Sequence, residues 1–240
     1  MTPRRNSHEL ECDKCDALQC GVFSNIVGDD LASISTCKVT NLYKKGQTLF
    51  FQGNPPYGLY CISDGTVKVS KIGNDGKESI VRMAKGGDLI GHRSLFTEDY
   101  YTATATALED STICFIDKKF IFKAVETKPA IAISIINKLS RDLGAAEKKV
   151  ASLFQKNVRE RLAELLLCLK ESYGKKGEDG SWEIGIKLTR EEMASMIGVA
   201  NETLIRFMTE FKDEEIITQK GKTIYVINED KLIDFADLYY

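Results

Sequence analysis

The sequence is poor in several residues that many enzymes and secreted proteins rely on. In 240 residues it has two histidines, His8 and His92, four prolines and one tryptophan, and no large excess of either charge: 33 Lys plus Arg face 35 Asp plus Glu. Neither histidine has a Ser or Asp arrangement beside it that suggests a triad. HExxH is absent, and no glycine-rich phosphate loop precedes a helix, all of which argues against an enzyme. Few prolines leave little room for extended linkers, and 43% hydrophobic with 28% charged residues excludes general disorder. A net charge of -2 argues against a polybasic protein that coats nucleic acid or membrane by bulk attraction. The longest strongly apolar run, Leu165-Leu166-Leu167-Cys168-Leu169, falls far short of the ~20 residues of a membrane span. The stretch from Met1 to His8 has no apolar segment that could serve as a secretory signal. A cytoplasmic protein of two domains, at roughly 150 residues each or fewer, is the expectation.

What is present is patterned. Glycines at Gly53, Gly65, Gly76 and Gly87 cut the region from Lys44 to Asp117 into short segments rich in β-branched and aromatic residues, with Asn74-Asp75-Gly76 as a hairpin turn. The spacing predicts about eight strands in a small barrel or roll. After Pro129 the period changes: Ala132, Ile136, Leu139, Leu143, Ala146, Val150 and Leu153 form an a/d series. A helix packed wholly on its own domain is one reading. A narrow seam flanked by Asn137, Lys138, Arg141, Asp142, Glu147 and Lys148 suits a partner helix better, and the natural partner is a second copy of the chain.

A helix over about Val158 to Tyr173, a loop over Gly174 to Gly180, and a strand of alternating Trp182, Ile184, Ile186 and Leu188 follow. Thr189-Arg190-Glu191-Glu192 is a capping box that opens a helix carrying Met193, Ala194 and Ile197, which Gly198 ends. A second helix from about Asn201 to Lys212 and a hairpin through Lys220-Gly221-Lys222 complete a winged helix-turn-helix. The fold class is α+β. The expected segments are a cysteine-rich sensory segment (1–28), a β-roll sensor (29–128), a dimerisation helix (129–155) and a DNA-binding domain (156–240).

This order of parts resembles the Crp/Fnr family of bacterial transcription regulators over essentially the whole chain. The residues that carry the likeness are Lys45-Gly46-Gln47-Thr48-Leu49-Phe50, Gly87-Asp88-Leu89-Ile90-Gly91, Leu95-Phe96, Leu188-Thr189-Arg190 and Asn201 through Phe207. The resemblance implies a homodimer on a palindromic double-stranded operator, half-sites about one helical turn apart, and contact with RNA polymerase where the regulator activates.

Glu202 and Arg206, four apart, share one face of the second helix. Arginine can pair with guanine O6 and N7 and glutamate can accept from a cytosine amino group, each contact discriminating by ~1–3 kcal/mol. A solvated i,i+4 ion pair is the plainer alternative, and the family's Glu-x-x-x-Arg recognition face favours base reading. Asn201 stands where cyclic-AMP-responsive members carry arginine, Ile205 stands where the Fnr type often carries serine, and Ala200 replaces the usual Ser or Thr cap. Ile205 can meet a thymine methyl. Lys187, Arg190, Lys212, Lys220 and Lys222 are candidates for phosphate contacts. From Lys156 onward 13 basic residues face 17 acidic ones, so a few placed contacts must serve, with a modest salt slope.

In cyclic-nucleotide-binding relatives a glutamate holds the ribose and an Arg-Ser pair holds the phosphate. Here His92 and Tyr101-Thr102 correspond to them, and tyrosine cannot neutralise a phosphate as arginine does. Arg82 and Arg93 lie elsewhere in the roll and could substitute, but nothing in the sequence places them there, so a cyclic nucleotide is not expected; a different small ligand in the roll is the alternative.

The seven cysteines are the other sensory candidates. Cys12, Cys15 and Cys20 form C-x2-C-x4-C, and Cys114 lies in the last strand of the roll. Fnr-type regulators are similar, with three N-terminal cysteines and one distant cysteine on a [4Fe-4S] cluster. The last spacing is one residue shorter than the commonest Fnr form. Zinc on the three cysteines with His8 or Cys114, a redox-active thiol set, or Cys114 as a core thiol are the alternatives. Cys37, Cys61 and Cys168 read as core or incidental thiols, with Cys37 a minor candidate for the fourth ligand. The mechanism the resemblance implies is that the cluster ties the N-terminal segment to the roll. The roll then presses on the start of the Ala132-to-Leu153 helix until oxygen or nitric oxide dismantles the cluster.

Overall fold

The computed structural model describes residues 11–19, 21–73, 76 and 78–236, and the chain divides into two units, Met1–Gly144 and Ala145–Tyr240. In the first unit, two 3-10 turns at Cys12–Lys14 and Asp16–Leu18 lead to helix α1 (Gly28–Cys37). The roll follows as β1 (Lys38–Tyr43), β2 (Thr48–Phe50), β3 (Gly58–Asp64), β4 (Thr66–Ile72), β5 (Glu78–Lys85) and β6 (Leu89–Ile90). Helix α2 (His92–Thr97), β7 (Thr104–Ala107) and β8 (Ser111–Asp117) complete it. The strands pair into two four-stranded sheets, β1-β8-β3-β6 and β2-β7-β4-β5. Phe50, Ile62, Val67, Ala84, Ala105 and Ile113 from both sheets form one apolar interior; fully burying a large aliphatic side chain contributes roughly 1.5–3 kcal/mol.

Two glycines permit the close pairing. A Cβ on Gly58 would meet Ile116 O at 2.1 Å, and Gly65, at φ +90°, would press one within 2.2 Å of Ser111 Oγ. Of the hairpin turn between β4 and β5, Gly76 adopts φ +76°; Asn74 and Asp75 lie outside the described residues. The alternation from Tyr101 becomes strand only at Thr104. Tyr101 instead exchanges backbone hydrogen bonds with the Gly53-Asn54 turn and turns its ring inward, stacked on Phe50 with centroids 4.0 Å apart.

Helices α1, α2 and α3 (Lys118–Thr127) were not expected, because each is too short for a sustained apolar period. Asp117 caps α3 by accepting from Lys119 N–H. Helix α4 (Pro129–Gln155) then runs for 27 residues. Its first turns bury Ile131 and Ile135 in a second core with Leu59, Ile116 and Ile121.

In the second unit, α5 (Val158–Tyr173) begins with a capping box of Asn157 and Glu160. It is followed by β9 (Gly174–Lys176), β10 (Trp182–Ile184), α6 (Arg190–Ile197), α7 (Asn201–Asp213), β11 (Ile217–Lys220), β12 (Thr223–Val226) and α8 (Glu229–Ala236). One sheet joins them in the order β11-β12-β10-β9. The loop expected from Gly174 thus starts as a strand, because Lys176 pairs with Trp182. The strand expected through Leu188 stops at Ile184, where Gly185 N–H turns to Tyr173 O. Helix α8, also unexpected, buries Leu232 and Ala236.

Candidate functional site

The pleat and register of the outer sheet create the sensory candidate. In antiparallel strands, residues directly opposite share a face, as do residues two apart. β1, β8 and β3 therefore present Thr40, Cys114 and Cys61 in one row and Lys38, Ile116 and Leu59 in the next. Residues 12–18 and 21–23 lie over this face and line a cavity of about 60 Å³. Its walls carry Cys12, Cys15, Lys38, Cys61, Ser63 and Cys114 among mostly apolar residues.

Several contacts fasten the segment. Cys12 N–H donates to Ser35 Oγ at 3.1 Å, Cys15 Sγ lies 3.2 Å from Ser63 Oγ, and Val22 N–H donates to Gly87 O at 3.3 Å. Gly21 is needed for this approach, since a Cβ there would stand 2.7 Å from Ala17 O and 3.0 Å from Gly87 O. On the sheet side, Lys38 Nζ donates toward Cys114 Sγ at 3.6 Å, and Thr40 Oγ1 lies at the same distance. Burial pushes the Cys12 thiol up against the opposing pull of Lys38. Burial also pushes Cys61 well above its ordinary value, with Cys114, Cys12 and Cys15 adding and Lys38 again opposing.

Cys12, Cys15 and Cys114 are therefore brought together, while Cys20 and His8 lie outside the described residues. Among the described residues, no three His, Cys, Asp or Glu side chains converge on one metal-ion position. Cys37 and Cys168 are exposed. Cys61, which reads as a core thiol from the sequence, is on the cavity wall; only its register with Cys114 reveals it.

The position where relatives bind nucleotides is built differently. Tyr101 is buried and stacked on Phe50, and Tyr60 lies 5.4 Å from Phe50. Burial pushes the Tyr60 phenol up to about 12. Arg82 does not replace the missing arginine. It donates to Leu89 O at 3.1 Å and pairs with Asp142 of α4, while Arg93 is exposed. Asp142 is the centre of an ion cluster. Lys138 Nζ lies 2.9 Å from both Asp142 and Asp88, and His92 Nε2 lies 3.0 Å from Asp142 Oδ2, although neither ring nitrogen makes an aligned hydrogen bond among the described residues. Burial raises the Asp142 carboxyl, but His92, Arg82 and Lys138 outweigh it and hold it well below the usual carboxylate range.

In the second unit the capping box of Thr189 and Glu192 starts α6, and Gly198 at φ +68° ends it. Helix α7 buries Leu204, Met208 and Phe211 and has no side-chain cap at Ala200. Its outer face presents Glu202, Ile205 and Arg206. The Arg206 side chain is 67% exposed, 3.9 Å from Glu210. Asn201 is half-buried. Of the phosphate candidates, Lys187, Lys220 and Lys222 are exposed, Lys212 is half-buried, and Arg190 is tied to Gln219 of the wing. Along α4, Ile136, Leu143, Val150 and Leu153 are 42–61% exposed, Ala146 is exposed, and Ala132 and Leu139 are half-buried. No helix among the described residues is long and apolar enough to cross a membrane.

Residues 40–128 match the cyclic nucleotide-binding domain and residues 160–235 the Crp-like helix-turn-helix domain. The chain is 31% identical over 193 residues to a protein called fumarate and nitrate reduction regulatory protein from Vibrio cholerae, covering 80% of this chain and 76% of that one. It is 26% identical to a CRP-like cAMP-activated global transcriptional regulator of Mycobacterium tuberculosis, covering 88% and 94% respectively. A CRP/FNR-family transcriptional regulator from Thermus thermophilus has the same fold, with a TM-score of 0.72 at 22% identity over 83% of this chain and 98% of that one. A roll, a long helix and a winged helix-turn-helix in this order, matched by these relatives, make the chain a member of the CRP/FNR family of DNA-binding transcription regulators.

Proposed function

We propose that the chain binds a palindromic operator as a homodimer and senses oxygen or redox state through a [4Fe-4S] cluster held by Cys12, Cys15, Cys20 and Cys114. The observation that carries the sensory part is the meeting of Cys12, Cys15 and Cys114 at one cavity with Lys38 on its wall. The donor set fits such a group: thiolates supply its ligands, Lys38 offsets their negative charge, and the apolar walls keep water away. When bound, the cluster supplies an oxygen-labile tie between the N-terminal segment and the roll.

The chain's own residues can transmit that tie. Val22 binds the Gly87 carbonyl, and the adjoining Asp88 holds Lys138 of α4, whose neighbour on the same face, Asp142, is gripped by Arg82. The exposed stripe of α4 is the surface offered to a second copy, and Glu202 and Arg206 are the side chains offered to base edges, with Asn201 and Ile205 beside them. The Lys187, Lys212, Lys220, Lys222 and Arg190 set is assigned to phosphates. A metabolite-gated roll is the second reading, which the stacked Phe50 and Tyr101 in its interior disfavour.

Anaerobic purification tests the sensory part. A brown protein with about four iron and four labile sulfide per chain is expected, whereas a colourless protein without iron rules the cluster out. For DNA, Arg206→Ala should remove ~1–3 kcal/mol of discrimination per half-site in competition binding. Unchanged site preference would mean that α7 does not read bases.

A further inference from the structure

The sensory reading uses four cysteines, but the cavity wall carries a thiol outside that set. Cys61 on β3 is directly opposite Cys114 on β8, and both line the cavity. Ser63, two residues along β3 and also on the cavity wall, is the residue that Cys15 Sγ approaches at 3.2 Å. Cys61 thus stands between the positions of two proposed ligands, opposite Cys114 across the strands and two residues along β3 from the anchor of Cys15. An incidental core thiol would be enclosed by apolar neighbours alone; this one shares its cavity with three other thiols and the Lys38 side chain.

We propose that Cys61 is a fifth thiol of the cluster site, placed to take over the iron corner of Cys15 when that ligand is lost. The inference rests on the cluster reading. The exchange would need no oxidant: Cys61 would supply a thiolate in place of that of Cys15, and the proton leaving the Cys61 sulfur would be taken up by the Cys15 sulfur that is released.

The test compares Cys15→Ser, the double variant Cys15→Ser with Cys61→Ser, and the wild-type chain. Each is reconstituted anaerobically with ferrous iron and sulfide, then assayed for iron, labile sulfide and cluster absorbance. Cys15→Ser should keep at least half of the wild-type iron and sulfide, and the double variant less than a tenth. Circular dichroism of each variant, together with a Cys61→Ala version of the double, separates loss of the ligand from loss of the fold. Equal retention in the single and double variants, high or low, overturns the role of Cys61 while leaving the wild-type cluster standing. A wild-type chain that takes up no iron and sulfide overturns both readings.

Discussion

Asp142 shows how much one side chain can hold. It lies where Arg82 of β5, His92 of α2 and Lys138 of its own helix converge, with Asp88 on the far side of Lys138. Its carboxyl is held well below the usual range, so its contribution to stability is complete above an ordinary carboxylate pKa of about 4 and is lost as pH falls through the lower folded-state value. Asp142→Asn should therefore cost about 1–3 kcal/mol of unfolding free energy near neutrality, because it takes the carboxylate from Arg82 and leaves Lys138 with Asp88 alone. Urea denaturation across pH should show the gap between variant and wild type persisting above pH ~5 and closing in acid.

At the scale of elements, α4 carries an apolar stripe that the described residues leave largely exposed. Leu143 is 61% exposed in the middle of the stripe. Leu143→Glu should leave the fold intact, shift the chain toward monomer in sedimentation at micromolar concentration, and weaken operator binding at least tenfold. The heptads of α4, the glycine-spaced strands and the Thr189 capping box could be read in the sequence because each is a local pattern with its own period. The short helices α1 to α3 and α8 could not, since fewer than three turns present too few apolar repeats to count. The cavity was only half readable. Cys12, Cys15 and Cys114 stand out by spacing and by family likeness, but Cys61 and Lys38 join them through the alignment of β1, β8 and β3, a tertiary fact that spacing does not encode. Arg82, which sequence alone leaves free to meet an anion in the roll, is taken by Asp142 of a helix sixty residues away.

For the whole molecule, near-neutrality becomes a property of its DNA binding. The third of the chain from Lys156 onward has fewer bases than acids, 13 against 17, so attraction to the duplex must come from individual cations on the wing and before α6. If only the exposed members of the proposed phosphate set, Lys187, Lys220 and Lys222, engage in each protomer, six contacts in a dimer give a slope of log affinity against log salt of about -5. Lys222→Ala should reduce that slope by about 2 in fluorescence anisotropy titrations and leave the ratio of specific to nonspecific affinity nearly unchanged.

The turn at Gly87 and Asp88 has a mechanical consequence. The cysteine segment grips one residue of it through Val22 and α4 grips the next through Lys138. Two loads hung on adjacent residues share little backbone: the Gly87 carbonyl belongs to the peptide plane that ends at the Asp88 Cα, and from there only the Asp88 and Lys138 side chains lead to the helix. A displacement of the segment would therefore reach α4 through two side chains rather than through a length of backbone.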